Sequence, residues 1–553
     1  MLRLFEQHRI RKSVELEGMW DFYPEGKAIL YRLPVPGCWE QHPDLYTYRG
    51  KGTYVKKVYV AEPGTIRLEF KGVSHTAQVY FDQVPVTCHY NAFTPFSAVV
   101  KEVERGEHEI RVAVDNSFGE QSALHIPNDY YTYGGITRPV AMEQISGVYI
   151  ERVHFTPLFE HGIWSGRLTV CIHNTTGKKV SVNVKSTLEQ YTMNSDAIEL
   201  EGESKITVTL KQQFEDVIPW SNHNPKLYLI HTILYTQGQP ADDLIERVGF
   251  RTVAVNGTKL QVNGEEVFLK GFNRHEDYAA AGCAIPLQLM VQDMELMLDM
   301  GVNALRTSHY PNDERFLDLC DERGILVWEE NHARGLSAER MQNPNFDQQC
   351  EDCIREMIEN HYNHPSIILW GILNECASYC ETGRRKYKTQ YEQIRTLDDT
   401  RPATSATCHH FKDITLDLPD IVSINVYSGW YTEDPAEEKK NEILSWIRQS
   451  GGENKPIIVS EFGAGAMYGY RDRSRCKWSE ERQADIIEEN LKVYMKDKNI
   501  SGVFIWQFAD CRVTEEEWFA SRPRCHNNKG VVDEYRRPKL AYDVVKKYYE
   551  ELR

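Results

Sequence analysis

The sequence predicts a multidomain chain: a β jelly-roll sandwich, an immunoglobulin-like β-sandwich and a C-terminal (β/α)8 TIM barrel. Three observations predict it. Short runs that alternate apolar and polar residues fill the first part of the chain. Further on, continuous apolar runs alternate with helix-like segments, the pattern of a parallel barrel. Two of those apolar runs stop abruptly at a carboxylate, SIILWGILNE at Glu375 and PIIVSE at Glu461.

The 553 residues suffice for several domains with large cores, and the composition, 41% hydrophobic and 26% charged, is that of an ordinary globular protein. A net charge of -17 with no basic stripe argues against nucleic-acid binding. No run has the length of a membrane span, and MLRLFEQHRIRKSVELEG lacks a signal-peptide core, so a cytoplasmic location is expected. Thirteen irregularly spaced Cys suit reduced thiols. Cys350 and Cys353 form a C-x-x-C inside a helix-like segment with no second pair at zinc spacing, so no metal is expected there.

Residues 1–147 are expected to form the jelly roll. TYVKKVYV, TIRLEF, TAQVYFD and HEIRVAVDN alternate at period two between Pro, Gly and Asp turns. Near the end, PNDYYTYGG (127–135) is a polar, aromatic loop holding Asp129, a residue type that ordinarily serves the turn itself. Residues 148–252 carry a second set of strands, RLTVCIHN, KVSVNVKSTL, KITVTLK and LYLIHTILYT, at the spacing of an immunoglobulin-like sandwich. Residues 253–553 are expected to form the barrel, entered through a hairpin in NGTKLQVNGEEV.

Eight strand-like runs fall at 267–273, 303–308, 325–330, 367–375, 403–407, 421–427, 456–461 and 503–510. Glu375 then ends the fourth and Glu461 the seventh, and a closed ring sets those strands across the mouth from each other. Other polar groups also gather at run ends: Asn273, Arg274, His275 and Glu276; Arg306, Ser308 and His309; Asn374; Asn425, Tyr427, Trp430 and Tyr431; Trp506 and Asp510. A single Glu at a strand tip is as often part of a structural ion pair as catalytic. Two on opposing strands, among groups converging on one face, point to chemistry. Paired carboxylates across a sugar-sized gap suit glycoside hydrolysis, one attacking the anomeric carbon and the other protonating the leaving oxygen. Mutual repulsion and burial would raise the pKa of one of them. Arg306 could keep the nucleophile ionised, Tyr427 could hydrogen-bond it, and Trp506 could floor a ring.

LKGFNRHED (269–277), ALRTSHYP (304–311), ILNE (372–375), VSEFG (459–463) and VFIWQFAD (503–510) resemble glycoside hydrolase family 2, as does the order of the three domains. FKGVSHTAQVYFD and NAFTPF resemble its first domain, NHNPKLYLI and VGFR its second. The resemblance implies Glu375 as acid/base, Glu461 as nucleophile, and retention at the anomeric carbon. CHNNKGVVDEYRRPK (525–539), with YSGWY and NDYYTYGG, resembles the β-glucuronidase branch, whose N-x-K motif, here Asn527 and Lys529, recognises the sugar carboxylate. An ammonium beside an amide donor suits that anion through charge-assisted hydrogen bonds. The expected ligand contacts are Asp129, His275, His309, Asn374, Asn425, Tyr427, Tyr431, Trp506, Asn527 and Lys529. An arginine ahead of N-x-K is also expected, Arg524 or its neighbour Arg522, which spacing does not separate.

The expected activity is thus retaining exo-β-glucuronidase action on small-molecule or oligosaccharide glucuronides, with no metal or organic cofactor. A sibling β-galacturonidase or β-galactosidase is the alternative, and a binding protein without catalysis is a rival of another class. A homotetramer or dimer is expected from the resemblance alone. Cys376 stands where the family usually has Pro, and Phe462 where Tyr is common. The short stretch after Glu330 implies an open mouth suited to larger conjugates.

Overall fold

Alternation in the first part of the chain becomes two antiparallel sheets facing each other in a computed structural model that describes residues 2–551. One sheet orders Lys12–Glu15, Val140–Ile145, Gly64–Phe70 and Phe96–Val103; the other has six strands around Lys51–Val60 and Gly106–Asp115. Those two central strands pair along their whole length. Period two sends Tyr54, Val112, Val79, Leu68 and Phe70 inward, where they pack with Trp20, Phe22 and Trp39. The segment 127–135 leaves this sandwich and lies against the barrel. Tyr133 donates to Asp277 at 2.9 Å, and Arg138 donates to Glu276 and to the Pro311 carbonyl, each at 2.7 Å.

The second sandwich sets Val148–Glu160, Ile163–Asn174 and Ser204–Phe214 against a five-stranded sheet centred on Val180–Leu188 and Tyr228–Thr236. Two of its strands escape a search for alternation, for physical reasons. Val148–Glu160 carries a bulge between Ile150 and Arg152 that shifts its inward face by one residue. Gln239–Val248 buries Asp242 and Asp243, which bind Arg11 and the backbone amides of Arg9 and Ile10.

The entering hairpin is a three-stranded ribbon, Val253–Asn256, Lys259–Val262 and Glu265–Glu266. Its Leu260 and Val262 close the lower end of the barrel against Leu269, Leu326, Ile368, Ile458 and Phe504. The barrel is closed and parallel: β1 Leu269–Asn273, β2 Ala304–Arg306, β3 Leu326–Glu330, β4 Ile367–Ile372, β5 Ala403–Thr407, β6 Ile421–Asn425, β7 Ile457–Phe462 and β8 Ile500–Ile505. Every residue of these strands is buried, which is why most of them show in the sequence as largely apolar runs. The outer helices are α1 Leu287–Asp299, α2 Glu314–Arg323, α3 Phe346–His361, α4 Glu381–Leu397, α5 Ala436–Gln449, α6 Glu480–Tyr494 and α7 Leu540–Glu551. Between β5 and β6 the described residues form no helix, and 408–420 run as a loop.

Two expectations are corrected in detail. β4 ends at Ile372, so Glu375 stands three residues past it. β8 ends at Ile505, so Trp506 and Asp510 lie beyond the strand instead of in it. Cys350 and Cys353 pack in the apolar core with Ile354 and Met357 on one face of α3. No helix among the described residues is long and apolar enough to cross a membrane.

Candidate active site

Arg306, at the tip of β2, is completely buried and ties the mouth together. Its Nη1 donates to Glu461 Oε1 at 2.9 Å and to Asn273 at 3.0 Å. Its Nη2 reaches Asn374 Oδ1 at 2.9 Å, and the guanidinium grips Glu330 through Nε at 2.8 Å and Nη2 at 2.9 Å. Tyr427 donates from its hydroxyl to the other Glu461 oxygen at 2.8 Å. Glu461 therefore accepts from a guanidinium and a phenol, donors that favour its charged form.

Glu375 enters from a turn. Leu373 and Glu375 have φ of 35° and 53°, a left-handed conformation costly for such side chains, on either side of Asn374. Hydrogen bonds from Asn374 N to Ala333 O and from Glu375 N to Ala406 O, both 2.9 Å, fix that turn between the β3 and β5 ends. Asn425 donates to Glu375 Oε1 at 2.9 Å and to Asn374 Oδ1 at 3.2 Å, while Ser460 donates to Asn425 at 2.7 Å. Arg334 approaches Glu375 Oε2 at 3.5 Å and donates to Asn128 at 2.9 Å. A continuous polar chain thus links the two acids, Glu461–Arg306–Asn374–Asn425–Glu375. Burial, and next the Glu375 charge, push the Glu461 carboxyl up to about 7 against Arg306 and Tyr427. Below that pH the pair holds a proton between them.

A second cluster closes one end of the mouth. Lys529 is 1% exposed, with its ammonium 5.2 Å from the Tyr431 ring centre, 5.8 Å from that of Tyr427 and 6.0 Å from that of Trp430. Burial holds it below the ordinary lysine range. Asp129 arrives from the first domain and accepts from Arg522 Nε at 3.0 Å and Nη2 at 2.5 Å, and from Asn527 Nδ2 at 3.0 Å. Arg522 Nη2 also reaches the Tyr431 hydroxyl at 3.4 Å. The buried Asn527 Oδ1 has no hydrogen-bond partner among the described residues, so this amide retains acceptor capacity. The Lys529 ammonium, with the N–H groups that Arg522 and Asn527 do not spend on Asp129, can hold an anion at this end.

Trp506 lies between these groups, stacked on His309 at 4.9 Å with His275 edge-on at 5.4 Å. His309 is held by Glu330 at 2.8 Å and His275 by the Tyr310 hydroxyl at 3.1 Å. Burial keeps both neutral, His275 down at about 3. The structure therefore gathers Asp129, His275, His309, Asn374, Asn425, Tyr427, Tyr431, Trp506, Asn527 and Lys529 around the two acids. Arg524 is the exception. It is half-exposed and turned away to pair with Glu534, because Pro523 and its own left-handed conformation reverse the chain there. Arg522 takes the place instead.

Sequence reasoning missed Glu330 and Arg334. Glu330 carried the same signal as the two acids, a carboxylate at the end of an apolar strand; its paired guanidinium shows the structural use of that pattern. Arg334 sits in an irregular loop with no periodic signal. Asp318, Asp321 and His364 bring ligand atoms within 4.8 Å of one another away from the mouth. Arg3 already occupies Asp318 at 2.8 and 3.0 Å, so a guanidinium stands where a cation would sit.

Residues 253–553 match the family model for glycosyl hydrolases family 2, TIM barrel domain, and 148–251 match a second model of glycosyl hydrolases family 2. A β-glucuronidase of Streptococcus agalactiae is 28% identical, the alignment covering 98% of this chain and 96% of that protein. A β-glucuronidase of Paenibacillus borealis is 27% identical over 97% and 94%. Among solved structures, a β-galacturonidase from Eisenbergiella tayi bound to galacturonate superposes with a TM-score of 0.97 at 49% identity, covering both chains completely. A β-D-glucuronidase of Dictyoglomus thermophilum superposes at 0.86 with 27% identity, covering 100% of this chain and 99% of that one.

Proposed function

The chain belongs to glycoside hydrolase family 2, and on that footing we propose that it is an exo-acting β-uronidase that releases a terminal β-linked hexuronic acid with retention, galacturonate preferred. The observation that carries the uronide is the buried Lys529, set among aromatic faces beside Asn527. Burial disfavours the charged ammonium although the Tyr431 hydroxyl and the Asp129 charge support it, and an anionic C6 carboxylate would offset that cost as a neutral hydroxymethyl group does not. Preference for galacturonide rests on likeness: the solved β-galacturonidase shares 49% of its residues with this chain, the β-glucuronidases 28% and 27%. Those full-length β-glucuronidases support the second reading, the C4 epimer glucuronide.

In the first step the ionised Glu461 attacks the anomeric carbon while Glu375 gives its proton to the departing glycosidic oxygen. The uronosyl group is then esterified to Glu461. In the second step Glu375, now a base, takes a proton from water, whose oxygen displaces Glu461 and restores the original configuration. Arg306 and Tyr427 hold the negative charge on Glu461 at the start and receive it again at the end. Asn425 keeps Glu375 aimed at the leaving oxygen.

A panel of nitrophenyl β-galacturonide, β-glucuronide and β-galactoside, with the first-formed sugar followed by proton NMR, tests this reading. The expected result is turnover of the uronides, galacturonide fastest, with the β anomer appearing first. Turnover confined to galactoside, or an α anomer first, would contradict it.

A further inference from the structure

Cys38 and Cys283 lie 245 residues apart in sequence, one in the first domain and the other in the loop between β1 and α1, with their sulfurs 3.6 Å apart. The loop around Cys283 is held independently of the thiols. Tyr278 and Gly282 exchange backbone hydrogen bonds at 3.0 and 2.8 Å, and Ala279 N donates to Glu534 O at 3.3 Å. Gln41, in the orientation that satisfies its amide, donates to Ala280 O at 2.7 Å and accepts from Gly282 N at 3.0 Å. Cys38 also points its thiol at Ala281 O, 3.7 Å away. Gly282 has φ of 56°, and a Cβ there would meet the Cys38 sulfur at 3.0 Å and the Tyr133 ring at 2.9 Å. The two segments are thus closely packed around this pair, with Tyr131, Tyr133 and Ala284 as the surrounding apolar shell.

We propose that Cys38 and Cys283 are a disulfide-forming site that covalently joins the first domain to the barrel when the protein meets a small-molecule disulfide such as oxidised glutathione. A disulfide needs the sulfurs about 2.05 Å apart, so side-chain rotation with a small backbone adjustment must close the remaining gap. Cys38 is buried and Cys283 only partly so, which sets the order of events. The Cys283 thiolate attacks one glutathione sulfur, forming a mixed disulfide and expelling one glutathione thiolate. The Cys38 thiolate then attacks the Cys283 sulfur and expels the second. Two electrons pass from the protein sulfurs to glutathione, and the two thiol protons end on the two reduced glutathiones. The neighbouring Cys38, and next burial, hold the Cys283 thiol well above the ordinary range, so the exchange quickens as pH rises. The closed loop is long, the case in which a cross-link removes most entropy from the unfolded chain.

The test equilibrates the full chain with oxidised or reduced glutathione, blocks free thiols with N-ethylmaleimide, and maps peptides by mass spectrometry. The expected product in oxidised glutathione is a cross-linked peptide pair containing residues 38 and 283. The melting temperature should stand about 3 °C or more above that of the reduced protein. Cys283→Ser should fold, yield no such pair and melt alike in both buffers. Three results would overturn the proposal: both thiols blocked after equilibration, glutathione retained on Cys283 with Cys38 free, or a cross-link that leaves the melting temperature unchanged or lower.

Discussion

Arg306 and Asn425 divide the work between the two acids. The guanidinium and the Tyr427 hydroxyl address both oxygens of Glu461, whereas Glu375 receives an amide at 2.9 Å and a guanidinium only at 3.5 Å. Arg306 and Tyr427 thus favour charge on Glu461 against the burial that opposes it, and a leaving oxygen near Glu375 is what would receive the pair's proton. The sign of the pH response follows. Glu461 is pushed up to about 7 chiefly by burial and then by the Glu375 charge, so above that pH the pair is doubly ionised and has no proton to donate. The kcat/KM for a β-uronide should fall as pH rises through about 7. Glu375→Gln removes the like charge as well as the donor. On a dinitrophenyl uronide, whose leaving group needs no proton, that variant should lose the alkaline limb and keep a limb at lower pH where Glu461 alone titrates. An alkaline limb unchanged in Glu375→Gln would place the titrating group elsewhere.

At the scale of elements, the strands were legible, and the ends of several of them, with the turns beyond, were not. Apolar runs marked most of the barrel strands because strands buried on both faces take few polar residues, although β5, ATSAT, is small and largely polar. Glu461 was readable from its strand, since it lies within β7 itself. The turn that presents Glu375 was hidden: left-handed Leu373 and Glu375 follow from hydrogen bonds to Ala333 and Ala406, segments distant in sequence. The exchange of Arg524 for Arg522 has the same origin, a local reversal at Pro523 that spacing alone does not encode. Helix α4 buttresses the Glu375 turn through Gly383, where a Cβ would lie 1.6 Å from the Ala377 carbonyl oxygen. Gly383→Ala must push that backbone back. We expect a loss of about 1–3 kcal/mol in denaturant unfolding and a lowered kcat, because Ala377 follows Glu375 by two residues. Unfolding and turnover unaltered by the substitution would show that the turn does not depend on this contact.

At the scale of the whole molecule, the site is incomplete within the barrel. Asp129 comes from the first domain and joins the Lys529 end of the mouth through Arg522 and Asn527. The contact between those domains buries three imidazoles in a row, His75 against His125 at 4.5 Å and His125 against His332 at 4.3 Å. Burial depresses all three, His75 to about 4 and His332 to about 3. Each is neutral in the folded protein and binds a proton in the unfolded chain below its ordinary value of 6.5. Their contribution is therefore complete above that pH and is lost as pH falls toward the folded values, at up to roughly 4 kcal/mol per pH unit for three groups. Melting temperature should drop steeply between about pH 6 and 4, and His125→Gln should flatten that slope by about a third; an unchanged slope would assign acid sensitivity to other groups. Such residues read as scattered histidines in the sequence, since only the docked domains bring them together. The reading of the whole molecule rests on Lys529, and its most direct test is kcat/KM of wild type and Lys529→Ala on matched nitrophenyl β-galacturonide and β-galactoside. Loss of one charge-assisted contact, about 1.5–3 kcal/mol, predicts a fall of about 10- to 150-fold on the uronide with the galactoside changed less than about twofold. Equal losses on both substrates, or none on the uronide, would contradict the account.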